Sequence, residues 1–218
     1  MPSTTYSYTV DALDAAGNHS AQSDPASATT PGGLFSDGFE TGDLSKWTSV
    51  TGLVAQQQEV FSGSWAARGT STGAATWAYK TLSSTQTDLY YRIRFKIVSQ
   101  AATVNLMKFR TSTGTSLLGA YVSSTGKLGY RNDVTAVSTT STTTVTTGAW
   151  HSLQVHVVIN GTASQTETWL DDVRIGALSK TESLGTSPVG RIQLGENSSG
   201  RTYDVAFDTV VVDTNLIS

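Results

Sequence analysis

Leu89-Tyr90-Tyr91-Arg92-Ile93-Arg94-Phe95-Lys96-Ile97 is the stretch on which the reading of this chain turns. Its odd positions are Leu, Tyr, Ile, Phe and Ile, and its even positions are Tyr, Arg, Arg and Lys. In an extended chain successive side chains point to opposite faces, so this pattern predicts a strand with one face in a core and the other in water. The same rule recurs outward from it. From His151 to Ile159, Leu153, Val155, Val157 and Ile159 fall on one face, with Gln154 and His156 on the other. Glu167-Thr168-Trp169-Leu170 and Val173-Arg174-Ile175 flank Asp171-Asp172, which reads as a tight two-residue hairpin turn. A last strand is expected over Asp204 to Val212, with Val205, Phe207 and Val211 on one face.

The composition agrees with an all-β chain. Only 14% of the 218 residues are charged, 20 are glycine, and no window carries a long apolar stripe of period 3.6 with caps at its ends. Cysteine is absent, which excludes disulfides, thiol catalysis and thiolate metal sites. No apolar run approaches the roughly 18 residues of a membrane-spanning helix, so membrane insertion is not expected. Met1-Pro2-Ser3 opens neither a charged nor an apolar leader region, so an export signal would have to lie upstream. All 14 basic residues follow Gly33 and are balanced there by as many acids, because Asp11, Asp14 and Asp24 precede it. A neutral body argues against nucleic acid as a partner.

A boundary is expected at Ala28-Thr29-Thr30-Pro31-Gly32-Gly33, giving units of 1–33 and 34–218. In the first unit, Tyr6 to Ala12 alternates like a strand, and Asp14-Ala15-Ala16-Gly17-Asn18 is a turn leading to a second, more polar strand. The run YSYTVDALDAAGNHSAQSDPASATTP resembles the last two strands of a bacterial fibronectin type III domain, with Tyr6 and Tyr8 on its tyrosine-corner strand. The other five strands of that fold are missing, and an isolated hairpin is marginal in water. Residues up to about Gly33 are therefore expected to be mobile or paired with something other than their native sheet, which includes self-association.

The second unit resembles a different family. Asp37-Gly38-Phe39-Glu40-Thr41-Gly42-Asp43-Leu44-Ser45-Lys46-Trp47, then Phe61-Ser62-Gly63-Ser64-Trp65, look like the opening of bacterial concanavalin A-like, laminin-G-like modules. Trp150-His151-Ser152-Leu153 and Trp169-Leu170-Asp171-Asp172-Val173 look like their closing strands. The resemblance implies an antiparallel jelly-roll β-sandwich, a fold that carries lectins, lyases, hydrolases and structural modules alike. It also implies a structural Ca²⁺ tying the first strand to the last. The matching positions are Glu40, Gly63 and Asp208, with Asp37 and Asp43 as substitutes; hard oxygen ligands of this kind suit calcium.

Half of the basic residues, Arg92, Arg94, Lys96, Lys108, Arg110, Lys127 and Arg131, lie between Leu89 and Asn132 with no acid among them. If Lys108, Arg110 and Arg131 share a face with Arg92, Arg94 and Lys96, then Tyr90 and Tyr121 join them. Such a face could take an acidic polysaccharide through forked guanidinium groups and stacking tyrosines, or could be the wet side of a sheet kept charged against aggregation. Trp77 and Tyr79, two apart on one strand face, form a candidate sugar platform. Gln154-Val155-His156 resembles a catalytic strand of alginate lyases, but the matching second signature is absent where Gly190-Arg191-Ile192-Gln193-Leu194-Gly195 stands. No paired-carboxylate pattern for glycoside hydrolysis occurs, and His19, His151 and His156 lack zinc-site spacing. The expectation is a non-catalytic carbohydrate-binding module of a larger secreted or cell-surface bacterial protein. The alternatives are an adhesive subunit of an extracellular fibre and, third, a lyase-like enzyme.

Overall fold

A computed structural model describes residues 5–29 and 33–217; residues 30–32 of the expected linker, and the Tyr6 side chain expected on a tyrosine-corner strand, lie outside this description. The chain divides into two compact units, Met1–Gly33 and Leu34–Ser218. In the first, β1 (Thr5–Tyr8) pairs antiparallel with β2 (Ala26–Thr29). The turn between them is built on Asp14, whose carboxylate accepts the N–H groups of Ala16 and Asn18 at 2.9 Å each. The two strands thus pair with each other.

The second unit holds sixteen strands among the described residues. These are β3 (Phe35–Asp37), β4 (Ser49–Thr51), β5 (Val54–Gln56), β6 (Ala66–Thr72), β7 (Thr76–Gln86), β8 (Asp88–Gln100), β9 (Val104–Arg110) and β10 (Ser116–Val122). They continue as β11 (Lys127–Asn132), β12 (Val137–Thr144), β13 (Trp150–Val158), β14 (Ser164–Leu170), β15 (Val173–Arg174), β16 (Lys180–Glu182), β17 (Val189–Glu196) and β18 (Thr202–Asp213). A seven-stranded sheet runs β12-β11-β10-β9-β17-β7-β4, and a nine-stranded sheet runs β15-β14-β13-β8-β18-β6-β5, with β16 on β14 and β3 on β18. Every pairing is antiparallel, and the first strand of the unit adjoins the last. Among the described residues no helix is long and apolar enough to cross a membrane.

Alternation closes the sandwich. Leu89, Tyr91, Ile93 and Phe95 of β8 and Leu153, Val155 and Val157 of β13 are fully buried, and they face Phe109, Ile192 and Leu194 of the other sheet in one apolar core. Asp171 and Asp172, at φ of 50° and 64°, make the tight turn before β15, as the sequence predicts. One expectation fails. Val210 and Val212 are buried while Val211 is partly exposed, because the pairing of β18 with β8 slips between Asp208 and Val211, where Thr209 sits at φ 44°. This bulge flips the alternation by one residue and re-aims the carboxylate just before it.

Candidate functional site

The expected basic face is two faces. Tyr90, Arg92, Arg94 and Lys96 lie on the outer side of the nine-stranded sheet, whereas Lys108, Arg110, Tyr121 and Arg131 belong to the seven-stranded one. The physical reason is the crossing between β8 and β9, which carries the chain from one layer to the other. Alternation fixes which side of its own sheet a residue takes, not which sheet.

On the seven-stranded sheet the register sets Tyr79, Gln193, Lys108, Gly119 and Arg131 along one rung, with Arg191 and Arg110 on a neighbouring one. The Trp77 and Tyr79 rings, two apart on β7, stack with centroids 5.7 Å apart and planes 16° apart. Arg191 lies over the Tyr79 ring at 4.9 Å. Arg110 donates through Nε to Gln193 Oε1 at 2.8 Å and through one terminal nitrogen to the Gly114 carbonyl at 2.6 Å. These four side chains line a recess of about 210 Å³ with Gly114, Gln193 and Asn197. Neither arginine makes an ion pair among the described residues. Burial, with the charge of Arg191, lowers the affinity of the Arg110 guanidinium for its proton, partly offset by Asp133.

The same sheet carries a separate, broader trough of about 530 Å³, whose lining includes Asn105, Lys108, Tyr121, Arg131 and Arg201. Here acids compensate the cations. Asp133 meets Lys108 at 3.7 Å and Arg131 at 2.9 Å, and Glu196 binds Arg201 at 2.6 Å. Desolvation lowers the Lys108 pKa, with Asp133 opposing it. The phenol end of Tyr121 lies against Gly129, where a Cβ would meet its Cζ and hydroxyl at 2.7 Å, and its hydroxyl bonds Thr140 at 2.7 Å. Sequence reading missed Arg191, Gln193, Asn197 and Arg201. Arg191 and Gln193 alternate with Ile192 and Leu194, a legible signal; Asn197 and Arg201 come from the loop after β17 and carried none.

The nine-stranded face is differently committed. Lys96 pairs with Glu59 at 2.7 Å, and Arg94 lies over the Phe61 ring at 4.7 Å. Tyr90 stacks on His156 at 3.9 Å and 3°. His156 meets Asp88 at 2.7 Å through Nε2 and Glu167 at 3.1 Å through Nδ1, so both ring nitrogens are engaged. Gln154 and His156, the strand that resembles lyases, thus sit on the opposite sheet from Lys108 and Arg110.

Glu40 and Asp208 converge on the loop of residues 61–65. Glu40 accepts the N–H groups of Ser64 and Trp65 at 3.0 Å, and Asp208 accepts those of Phe61 at 3.0 Å and Ser62 at 3.1 Å. A side chain at Gly63, φ 76°, would meet the Glu40 carboxylate at 2.4 Å. Asp208 is 1% exposed, and desolvation raises its pKa against the N–H bonds that lower it. Phe39 at φ 61° and Thr209 at φ 44°, beside the two acids, are strained for residues with side chains. Asp37 is occupied elsewhere, accepting the Phe39 N–H and the Trp47 indole at 2.9 Å each, and Asp43 caps its own turn through Ser45.

No protein-family model matches the sequence, and no curated protein matches it. Among solved structures, Cellulose induced protein Cip1 aligns with a TM-score of 0.69 over 84% of this chain and 99% of that one, at 18% identity. A carbohydrate esterase from Shiga toxin-encoding bacteriophage phi24B aligns at 0.61 over 84% and 99%, with 19% identity. A sialidase aligns at 0.63 and 8% identity over 83% of this chain, which spans 18% of that protein. At such identities the likeness shows the fold alone, and the fold is an antiparallel jelly-roll β-sandwich.

Proposed function

We propose that the sandwich is a non-catalytic carbohydrate-binding module that holds an acidic polysaccharide along the outer face of its seven-stranded sheet. One observation carries this reading: a stacked Trp77-Tyr79 pair is flanked in a single recess by Arg110 and Arg191, two guanidinium groups with no paired carboxylate. Aromatic rings take the apolar faces of sugars, and forked N–H donors take uronate or sulfate oxygens. The trough beyond the recess gives a chain room to continue past Lys108, Tyr121 and Arg131. The carbohydrate-related names of two aligned proteins, one cellulose-induced and one an esterase of carbohydrate, accord with it. In this reading the module belongs to a larger secreted or cell-surface protein and concentrates that protein at a polysaccharide through weak, repeated contacts.

A structural calcium ion belongs to the same proposal. Glu40 and Asp208 bring two negative charges to one loop, and neither makes an ion pair among the described residues. No three His, Cys, Asp or Glu side chains gather among the described residues in a metal-binding group. Calcium here would therefore take Glu40 and Asp208 and complete its shell from backbone carbonyls, Gly63 among them, and from water. Bound there it would neutralise the buried charge and fasten β18 to the loop before β6.

The test is a glycan array on the isolated chain, run with calcium and with chelator. Uronate or sulfate polymers should be retained, Trp77→Ala and Arg191→Ala should each weaken retention about tenfold or more, and neutral polymers should bind poorly. Retention by both variants as strong as that of the unaltered chain would sink the assignment of the face, and release of unsaturated uronates would overturn the non-catalytic reading.

A further inference from the structure

The recess and the trough of the seven-stranded sheet stand side by side. Gln193, in the recess, lies directly opposite Lys108, in the trough, on adjacent strands. Asn197 of the recess is followed at once by Ser198 of the trough. Neighbouring strands lie about 4.8 Å apart, so the rung from Gln193 through Lys108 and Gly119 to Arg131 spans about 14 Å. A polymer laid across the strands meets both places in turn.

The two places answer charge differently. No acid lines the recess, and Arg110 spends its N–H groups on the neutral oxygens of Gln193 and Gly114. In the trough every cation is already met: Asp133 holds Lys108 and Arg131 together, and the buried Glu196 holds Arg201. The strand between makes this bridge possible. A Cβ on Gly119 would meet Lys108 Cγ at 2.8 Å, so the bare position lets the lysine stem lie across β10 towards Asp133. The Ser116 hydroxyl donates to the Asp133 carboxylate at 2.5 Å and fixes it, while 18% of that side chain stays open to a ligand. Ser123, Ser138, Thr140 and Ser198 add neutral hydroxyl groups to the lining. An acid placed in the trough would find its cations engaged and Asp133 beside it, and like charges close together in a partly desolvated groove repel. A neutral sugar meets no such repulsion, and its hydroxyls can donate to the Asp133 carboxylate.

We propose that Asp133 sets the charge pattern of the ligand: the recess takes a uronate and the trough an uncharged neighbour, so the polysaccharide is one in which acidic and neutral sugars alternate. This inference rests on the reading of the seven-stranded face as the one that binds an acidic polymer, and it adds what the next sugar must be. Asp133 touches the neutral sugar and rejects a second acid; Arg110 and Arg191 require the first.

The full chain is titrated calorimetrically with two polymers. Hyaluronan alternates glucuronate with an uncharged amino sugar, whereas polygalacturonate carries an acid on every sugar. At low salt and matched for uronate, hyaluronan should bind about five- to tenfold more tightly. Asp133→Asn keeps the shape of the side chain and frees Lys108 and Arg131 from their acid. It should raise the affinity for polygalacturonate about five- to tenfold, leave that for hyaluronan within about twofold, and so cancel the preference. If Asp133→Asn does not fold, Ser138→Lys carries the same test: this exposed position of β12 lines the trough, and an unpaired cation there should narrow the preference at least about twofold. Equal or tighter binding of polygalacturonate by the unaltered chain would overturn the proposal, as would a preference unchanged in the folded variant. Either result leaves the acidic-polymer face standing. Binding of neither polymer would take the face and the proposal together, so the two readings fail distinguishably.

Discussion

The two outer faces of the sandwich come from the same pattern and differ in what surrounds it. On the nine-stranded sheet, Lys96 is neutralised by Glu59, Arg94 lies on an aromatic ring, and the Tyr90 face is covered by His156. On the seven-stranded sheet, Arg110 and Arg191 keep their charge unpaired beside a stacked Trp77-Tyr79 pair. Alternating cations alone do not make a binding face. What separates the two is the placement of acids and aromatic rings from strands far away in sequence, which no local pattern reports.

The most disruptive way to break the comparison is to remove the core that both faces share. Phe95, fully buried between the layers, should cost about 3–5 kcal/mol on replacement by alanine, read as a lowered denaturation midpoint, and acidic-polymer binding at the seven-stranded face should be lost with it. Retained stability would mean that the two layers do not depend on a common packing. A smaller and more selective change is Arg110→Ala. It should weaken binding of an acidic polymer at the seven-stranded face several-fold and flatten its salt dependence, because it removes one screened charge contact, whereas Arg94→Ala, on the other sheet, should leave binding at that face unchanged. Equal losses from the two variants would erase the distinction between the faces.

The fold was largely legible in the sequence. The alternation of β8 and β13 and the Asp171-Asp172 turn were readable, because each depends on local periodicity or on a turn's own chemistry; the adjacency of the first and last strands came only as what the family resemblance implies. Val211 was not, since a one-residue bulge at Thr209 inverts the face of every residue after it, and a bulge leaves no compositional mark. The candidate site was half legible. Trp77, Tyr79 and Arg110 stood out one by one, yet their meeting with Arg191 depends on β17 inserting between β7 and β9, a pairing across more than eighty positions that periodicity cannot encode. Grouping Arg92 with Lys108 failed for the complementary reason, as residues near in sequence parted at a crossing between layers.

Asp208 sharpens the comparison through stability rather than binding. Desolvation holds its pKa above the ordinary carboxylate value, so without a cation the folded state binds its proton more readily than the unfolded chain. The resulting destabilisation is complete above the folded pKa and is relieved as pH falls through it towards the unfolded value. In chelator at neutral pH, Asp208→Asn should therefore leave the melting temperature unchanged or raise it by about 2–4 °C; with calcium the same substitution should lower it. No difference between the two conditions would remove calcium from the account. The smallest effect is expected for Glu59→Gln. Breaking its partly exposed pair with Lys96 should change stability by less than about 1 kcal/mol and leave acidic-polymer binding at the seven-stranded face untouched, as measured by denaturant unfolding and affinity electrophoresis.

Resonance mapping with an acidic oligosaccharide longer than two sugars tests the central claim most directly. The account predicts saturable shifts concentrated at Trp77, Tyr79, Arg110, Arg191 and Gln193 and extending towards Tyr121 and Arg131. Shifts absent from these residues, with binding still measurable, would contradict it.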